Sequence, residues 1–239
     1  MAVLSHLLAA AALALGTVQA QQNPTCGARY IYEGYLSTGF FLDKSGNQVA
    51  KAYSFNSKKQ LLYDKSAKHP HIRAQFKVCT PNYQGAPNGE YDQLLYGRID
   101  LPDTKDCLAV TNPGGGAPYY LARATCPNSS KGEQYTTKGI PFNFIMNQTA
   151  GGDIRWIGGS IPSKGVYQGP NPPASYCQGE YFVNATNLQH GYNYDGYGEP
   201  NTSASDGYRV RLYCNKKKDG SGTGFSTLNL VGMAVISDP

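Results

Sequence analysis

The chain has 239 residues, with Lys+Arg 21 against Asp+Glu 16, a formal charge of +5 and a pI near 8.8. Charged residues make up only 15%, against about 25% in ordinary globular domains, whereas Gly 28, Pro 15 and Tyr 19 are abundant. This excludes long charged helices, and the recurrent tyrosines with a small net charge exclude a disordered chain, leaving a loop-rich β protein of one domain or two small ones.

In chain order, the first element is an apolar run from Met1 through Leu15, too short to span a bilayer, followed by the small residues of Val18-Gln-Ala20. Residues 1–20 are therefore expected to be a cleaved signal peptide, leaving 21–239 as a single extracellular domain. Phe40-Phe-Leu-Asp43 runs into Asp43-Lys-Ser-Gly-Asn47, a good turn, where an Asp most often caps the turn. Short bursts of alternation predict strands at Leu95–Leu101, Tyr119–Thr125, Gly207–Tyr213 and Thr227–Val231. Turn chemistry breaks the chain at 112–118, 168–173, 193–207 and 216–224, none of them a convincing interdomain linker. Many short strands favour a sandwich or a barrel.

The six cysteines stand at Cys26, Cys79, Cys107, Cys126, Cys177 and Cys214, with no Cys-x-x-Cys, so disulfides are expected rather than a zinc site; spacing alone leaves their pairing open. Four Asn-x-Ser/Thr acceptors, at Asn128, Asn147, Asn184 and Asn201, are the expected glycosylation sites of a eukaryotic secretory route.

No catalytic motif is complete. Glu90 and Asp92, or Asp100, Asp103 and Asp106, would supply a glycosidase with carboxylates, but loop solvation explains them better. His69-Pro-His71 places two imidazoles on one extended segment without a third ligand, so no metal is expected, nor any cofactor. Gly220-Ser-Gly-Thr-Gly224 lacks the setting of a nucleophile elbow and the Lys of a phosphate loop. Lys58, Lys59, Lys65, Lys68 and Lys216–Lys218 are scattered and lack stacking aromatics, which argues against a nucleic-acid partner. Leu228–Ile236 has only the length of a strand, and no membrane partner is expected.

Three stretches end alike, in a strand running into Cys and then an Asn within three residues: Ile72–Cys79, Tyr119–Cys126 and Tyr208–Cys214. They suggest three pseudo-repeats, at 21–90 (or an N-terminal elaboration), 91–160 and 161–239. Cys79 is one step out of phase with the apolar residues before it, which either a bulge or a chance match of the first stretch would explain.

Over residues 94–135, with Cys107-Leu-Ala-Val110, Cys126-Pro-Asn128 and Glu133-Gln-Tyr135, the second repeat resembles a subdomain of the ricin-B-type β-trefoil lectins. The resemblance implies an all-β, β-trefoil-like fold with loop insertions, stapled by Cys107–Cys126, Cys177–Cys214 and Cys26–Cys79. It also implies a sugar site in each repeat, built from an Asp of the Cys-Leu-Asp-Val strand, a stacking aromatic and an Asn after the second Cys. Ala109 occupies the Asp position of the second repeat, so that site is expected to be dead; Asp43 with Asn82 is the best surviving pair. The composition is similar to that of small secreted fungal proteins.

A second recognition surface is suggested by Leu188–Glu199, where Tyr192, Tyr194 and Tyr197 alternate with Gly, Asn and Asp, as in antibody loops; a glycine-rich loop packing its own rings explains the pattern as well. The leading expectation is a secreted, non-catalytic protein whose partner is a glycan. The alternatives are a protease inhibitor or host-interaction protein that uses the 188–207 loop on an extracellular protein surface, and, behind these, an extracellular hydrolase.

Overall fold

The computed structural model describes residues 25–42, 45–46, 48–64, 66–80, 94–111, 119–135, 139–148, 152–156, 160–161, 165–166, 190–194, 208–214 and 228–236. The expected signal peptide at 1–20 lies outside them. The chain is all-β. Its strands are β1 (Thr25–Leu42), β2 (Gln48–Phe55), β3 (Leu61–Asp64), β4 (Arg73–Thr80), β5 (Leu94–Leu101), β6 (Asp106–Val110), β7 (Tyr119–Ala124), β8 (Phe144–Asn147), β9 (Asp153–Trp156), β10 (Ser160–Ile161), β11 (Gly165–Val166), β12 (His190–Tyr194), β13 (Val210–Cys214) and β14 (Leu228–Ile236). Among the described residues the only helical pieces are 3-10 turns at Ser129–Lys131, Glu133–Tyr135 and Ile140–Phe142, and no helix is long and apolar enough to cross a membrane.

The strand pairing closes on itself. β1 pairs with β4, β4 with β5, β5 with β8, β8 with β9, β9 with β14, and β14 with β1, all antiparallel, so six strands form a ring without a free edge. Between the ring strands, β2–β3, β6–β7 and β12–β13 fold back as antiparallel pairs. The groups β1–β4 and β5–β8 share one pattern, in which the first strand pairs with both the second and the fourth, and the second with the third.

Period-two alternation explains the ring. In β5, Leu95, Ile99 and Leu101 are buried among apolar residues, while Tyr96 and Asp100 face away and are only half-buried. Gly97 takes the inward position between Leu95 and Ile99 because a Cβ there would stand 2.3 Å from the Lys77 carbonyl oxygen and 2.7 Å from the Phe76 ring. The core gathers Leu36, Phe76, Val78, Phe144, Met146, Ile154, Leu228 and Leu230 around Trp156, the protein's single tryptophan, which is fully buried. β14 keeps contact with this core through a bulge: Glu33 faces Ala234 but Tyr35 faces Val231, so Gly34 stands against two residues, Met233 and Gly232, the latter at φ 65°.

The hairpin strands β3, β7 and β13 also meet one another. Gln60 bridges to Ala122, Leu62 to Arg209, and Arg211 pairs with Tyr120. The Arg123 N–H donates to the Lys59 carbonyl at 2.9 Å, and the Tyr63 N–H to the Tyr208 carbonyl at 3.0 Å.

This pairing corrects the repeat alignment. Ile72–Cys79 lies on β4, a ring strand, whereas Tyr119–Cys126 and Tyr208–Cys214 belong to hairpin strands β7 and β13. The first-group counterpart of β7 is β3, which carries no cysteine. Cys79 is out of phase for a physical reason: Phe76 and Val78 point into the core, so Cys79 faces Cys26 directly across β1 and bonds to it.

Candidate functional site

Among the described residues two disulfides are formed, Cys26–Cys79 with a sequence separation of 53 and Cys107–Cys126 with a separation of 19, as the resemblance implies. Cys177 lies outside the described residues; of Cys214 only the backbone is described, paired with His190 at the end of β13.

The second hairpin shows what its sequence can and cannot do. Ala109, on β6, is buried at 4% exposure and presents a methyl group where a sugar-binding Asp is expected. After Cys126 the chain turns into a 3-10 element capped by Asn128, whose Oδ1 accepts from the Ser130 N–H at 3.0 Å and from the Ser130 hydroxyl at 2.7 Å. The Asn128 N–H donates to the Glu133 carboxylate at 2.9 Å. Gln134, of the Glu133-Gln-Tyr135 segment, is buried and donates from Nε2 to Asn143 Oδ1 at 2.9 Å.

A polar wall runs across the outer faces of β1, β4 and β5. Strand register places Tyr35 opposite Arg73, Glu33 opposite Gln75, Gln75 opposite Asp100, and Lys77 opposite Arg98. The alternation that buries Ala74, Phe76 and Val78 therefore turns Arg73, Gln75 and Lys77 outward together. Arg98, only 8% exposed, donates from Nε to Asp100 Oδ1 at 2.8 Å and from Nη1 to the Pro127 carbonyl at 3.0 Å and Ser129 Oγ at 3.1 Å. Lys77 Nζ approaches the second Asp100 oxygen at 3.3 Å. Beside them, the Glu33 carboxylate accepts from Arg73 Nη2 at 2.9 Å and Gln75 Nε2 at 2.7 Å. The Arg73 hydrogen bond, with that of Gln75, holds the Glu33 carboxyl below the usual carboxylate range, while Glu33 raises the Arg73 guanidinium. Tyr35 and Tyr30, on the same strand as Glu33, are 45% and 51% exposed.

Of the carboxylates considered for hydrolysis, the three among the described residues are held in ion pairs. Asp100 is held by Arg98 and Lys77, Asp103 lies 3.8 Å from Arg73, and Asp106 lies 3.5 Å from Lys59 and 3.8 Å from Arg123. Asp100 Oδ1 also sits 3.1 Å from Cys107 Sγ, a contact without a shared proton because the sulfur is oxidised. Asp100, Cys107 and Cys126 are the one three-donor group among the described residues, and their sulfurs are bonded to each other instead of being the thiolates a metal requires. His69 and His71 are exposed in the loop between β3 and β4.

Asp43, Asn82, Tyr197, Asn184, Asn201, Glu90 and Asp92 lie outside the described residues. Leu42, before Asp43, ends β1, whereas the corresponding Leu108 sits on the first hairpin strand β6, so the two Leu-x segments occupy different strands of their groups. Tyr192 and Tyr194 belong to β12, their backbones opposite Leu212 and Val210. Asn147 ends β8. Sequence reasoning overlooked Glu33, Tyr35, Arg73, Gln75 and Arg98; its one available signal was the strict polar spacing of Arg73, Gln75 and Lys77. None of the protein-family models, curated proteins or solved structures compared with this chain matches it.

Proposed function

We propose that the chain is a secreted, non-catalytic recognition protein of the β-trefoil fold, akin to the ricin-B-type lectins, and that its ligands are glycans. The observation that carries this reading is the pairing order: a closed ring of β1, β4, β5, β8, β9 and β14, with the hairpins β2–β3, β6–β7 and β12–β13 set between successive ring strands. A β-trefoil is a six-stranded barrel capped by three hairpins. The disulfides fit an oxidising compartment.

Glycan binding is supported by the wall around Tyr35. A pyranose offers a C–H face to an aromatic ring and hydroxyls to fixed donors and acceptors, and here an exposed tyrosine stands opposite Arg73, next to the Glu33–Gln75 pair. Recognition is preferred to hydrolysis because Asp100, Asp103 and Asp106 each face a cation, an arrangement that keeps a carboxylate ionised and leaves no partner carboxyl to share a proton. Asp43 and Tyr194 remain the other proposed contacts.

The test is a glycan array followed by electrophoresis through polysaccharide gels. Retention by at least one glycan class is expected, weakened several-fold by Tyr35→Ala, Asp43→Ala or Tyr194→Ala. Absence of binding to every glycan at high protein concentration removes the reading.

A further inference from the structure

We propose that Asn128 carries an N-linked glycan and that the loop after the Cys107–Cys126 disulfide is built to hold that side chain out for it. The inference rests on the secretory reading above and adds which acceptor the fold leaves available.

Asn128 and Ser130, the first and third residues of the acceptor triplet, are both exposed. The loop beneath them is fixed at both ends: Arg98 grips the Pro127 carbonyl and Ser129 Oγ, and the Asn128 carbonyl accepts from the N–H groups of Lys131 at 3.2 Å and Glu133 at 3.1 Å. The Asn128 side chain is fixed through its oxygen alone, by the Ser130 N–H and hydroxyl. Its Nδ2 donates to no described residue and is left facing solvent. Glycosylation uses that nitrogen and no other atom. Nδ2 loses one proton to the host transferase and bonds to C1 of the donor sugar, while the C1–O bond to a lipid pyrophosphate breaks and the lipid pyrophosphate leaves as the anion. Oδ1 keeps both of its hydrogen bonds, so the modified residue caps the 3-10 turn as before. Asn147 contrasts with it, being half-buried at the end of β8 between Leu94 and Asp153.

The full chain, expressed with its own N-terminal segment in a eukaryotic secretory host, tests this. Peptides are treated with an amidase that removes N-glycans in heavy-oxygen water, and residue 128 is read by mass spectrometry. Conversion of Asn128 to labelled Asp is expected, with one glycan step lost in Asn128→Gln and Ser130→Ala and retained in Ser130→Thr. Chain recovered from the medium with Asn128 unmodified overturns this proposal while leaving secretion intact. Unmodified chain confined to the cytosol overturns the secretory reading and the proposal together.

Discussion

The guanidinium of Arg209 lies over the ring of Tyr120, its central carbon 3.8 Å from the ring centroid, which fastens the third hairpin to the second. Arg123 of the second hairpin stands in a similar relation to Phe55 of the first, at 5.6 Å. With Tyr120 only 9% exposed, the Arg209 contact is partly desolvated, and Arg209→Ala is expected to cost about 1 to 2 kcal/mol in urea unfolding. Fluorescence is the natural probe, because the only tryptophan, Trp156, is fully buried and its emission moves to longer wavelength when the core opens. An unchanged midpoint would show that the hairpins cohere without this contact.

Arg98 joins the ring to the loop of the second hairpin, so its removal strands three acceptors at once: Asp100, the Pro127 carbonyl and Ser129 Oγ. Lys77 still faces Asp100, which limits the loss. Arg98→Ala should destabilise by about 2 to 4 kcal/mol, and Arg98→Lys should recover only part of it, since an ammonium cannot reproduce the planar fork. A full recovery by Lys would show that charge alone matters there.

The two disulfides close loops of different length, with separations of 53 and 19 residues. On chain entropy, opening Cys26–Cys79 by a double Ser substitution should cost about 4 kcal/mol and opening Cys107–Cys126 about 3 kcal/mol. Guanidinium unfolding of the two variants measures the order, and the reverse order would mean that native contacts outweigh loop length.

Acid sensitivity should trace partly to Glu33. Its folded value lies below the ordinary 4.5 because Arg73 and Gln75 donate to the charged form. A lowered folded value means that the stabilisation is fully present above the unfolded value and is lost as pH falls through the folded one. Glu33→Gln should therefore lower the unfolding midpoint slightly at pH 7 and not at all at the most acidic pH where the protein still folds. The effect should shrink in high salt, the pair being solvent-exposed. An equal loss at both pH values would assign the effect to packing.

The all-β class was legible because alternation is a property of one strand: Leu95, Ile99 and Leu101 announce their buried face without reference to any neighbour. Cys107 and Cys126 were legible for a related reason, since hairpin strands β6 and β7 are close in sequence and the stretch that carries the resemblance spans both. Strand β1 was missed because glycines and bulges interrupt its rhythm over 18 residues. The match of Ile72–Cys79 to the other strand-Cys-Asn segments misled because a local pattern carries no information about whether a strand lies in the ring or in a hairpin.

Local propensity and side-chain alternation thus determined by themselves that this chain would be built of short strands; the disulfide across the second hairpin came from the resemblance, not from the spacing. Ring closure, the placing of Cys79 on a ring strand, and the meeting of Glu33 with Arg73, 40 residues apart, were decided only by the tertiary structure. Register between distant strands follows from which buried faces pack together, a joint property of all six ring strands that no single stretch of sequence contains.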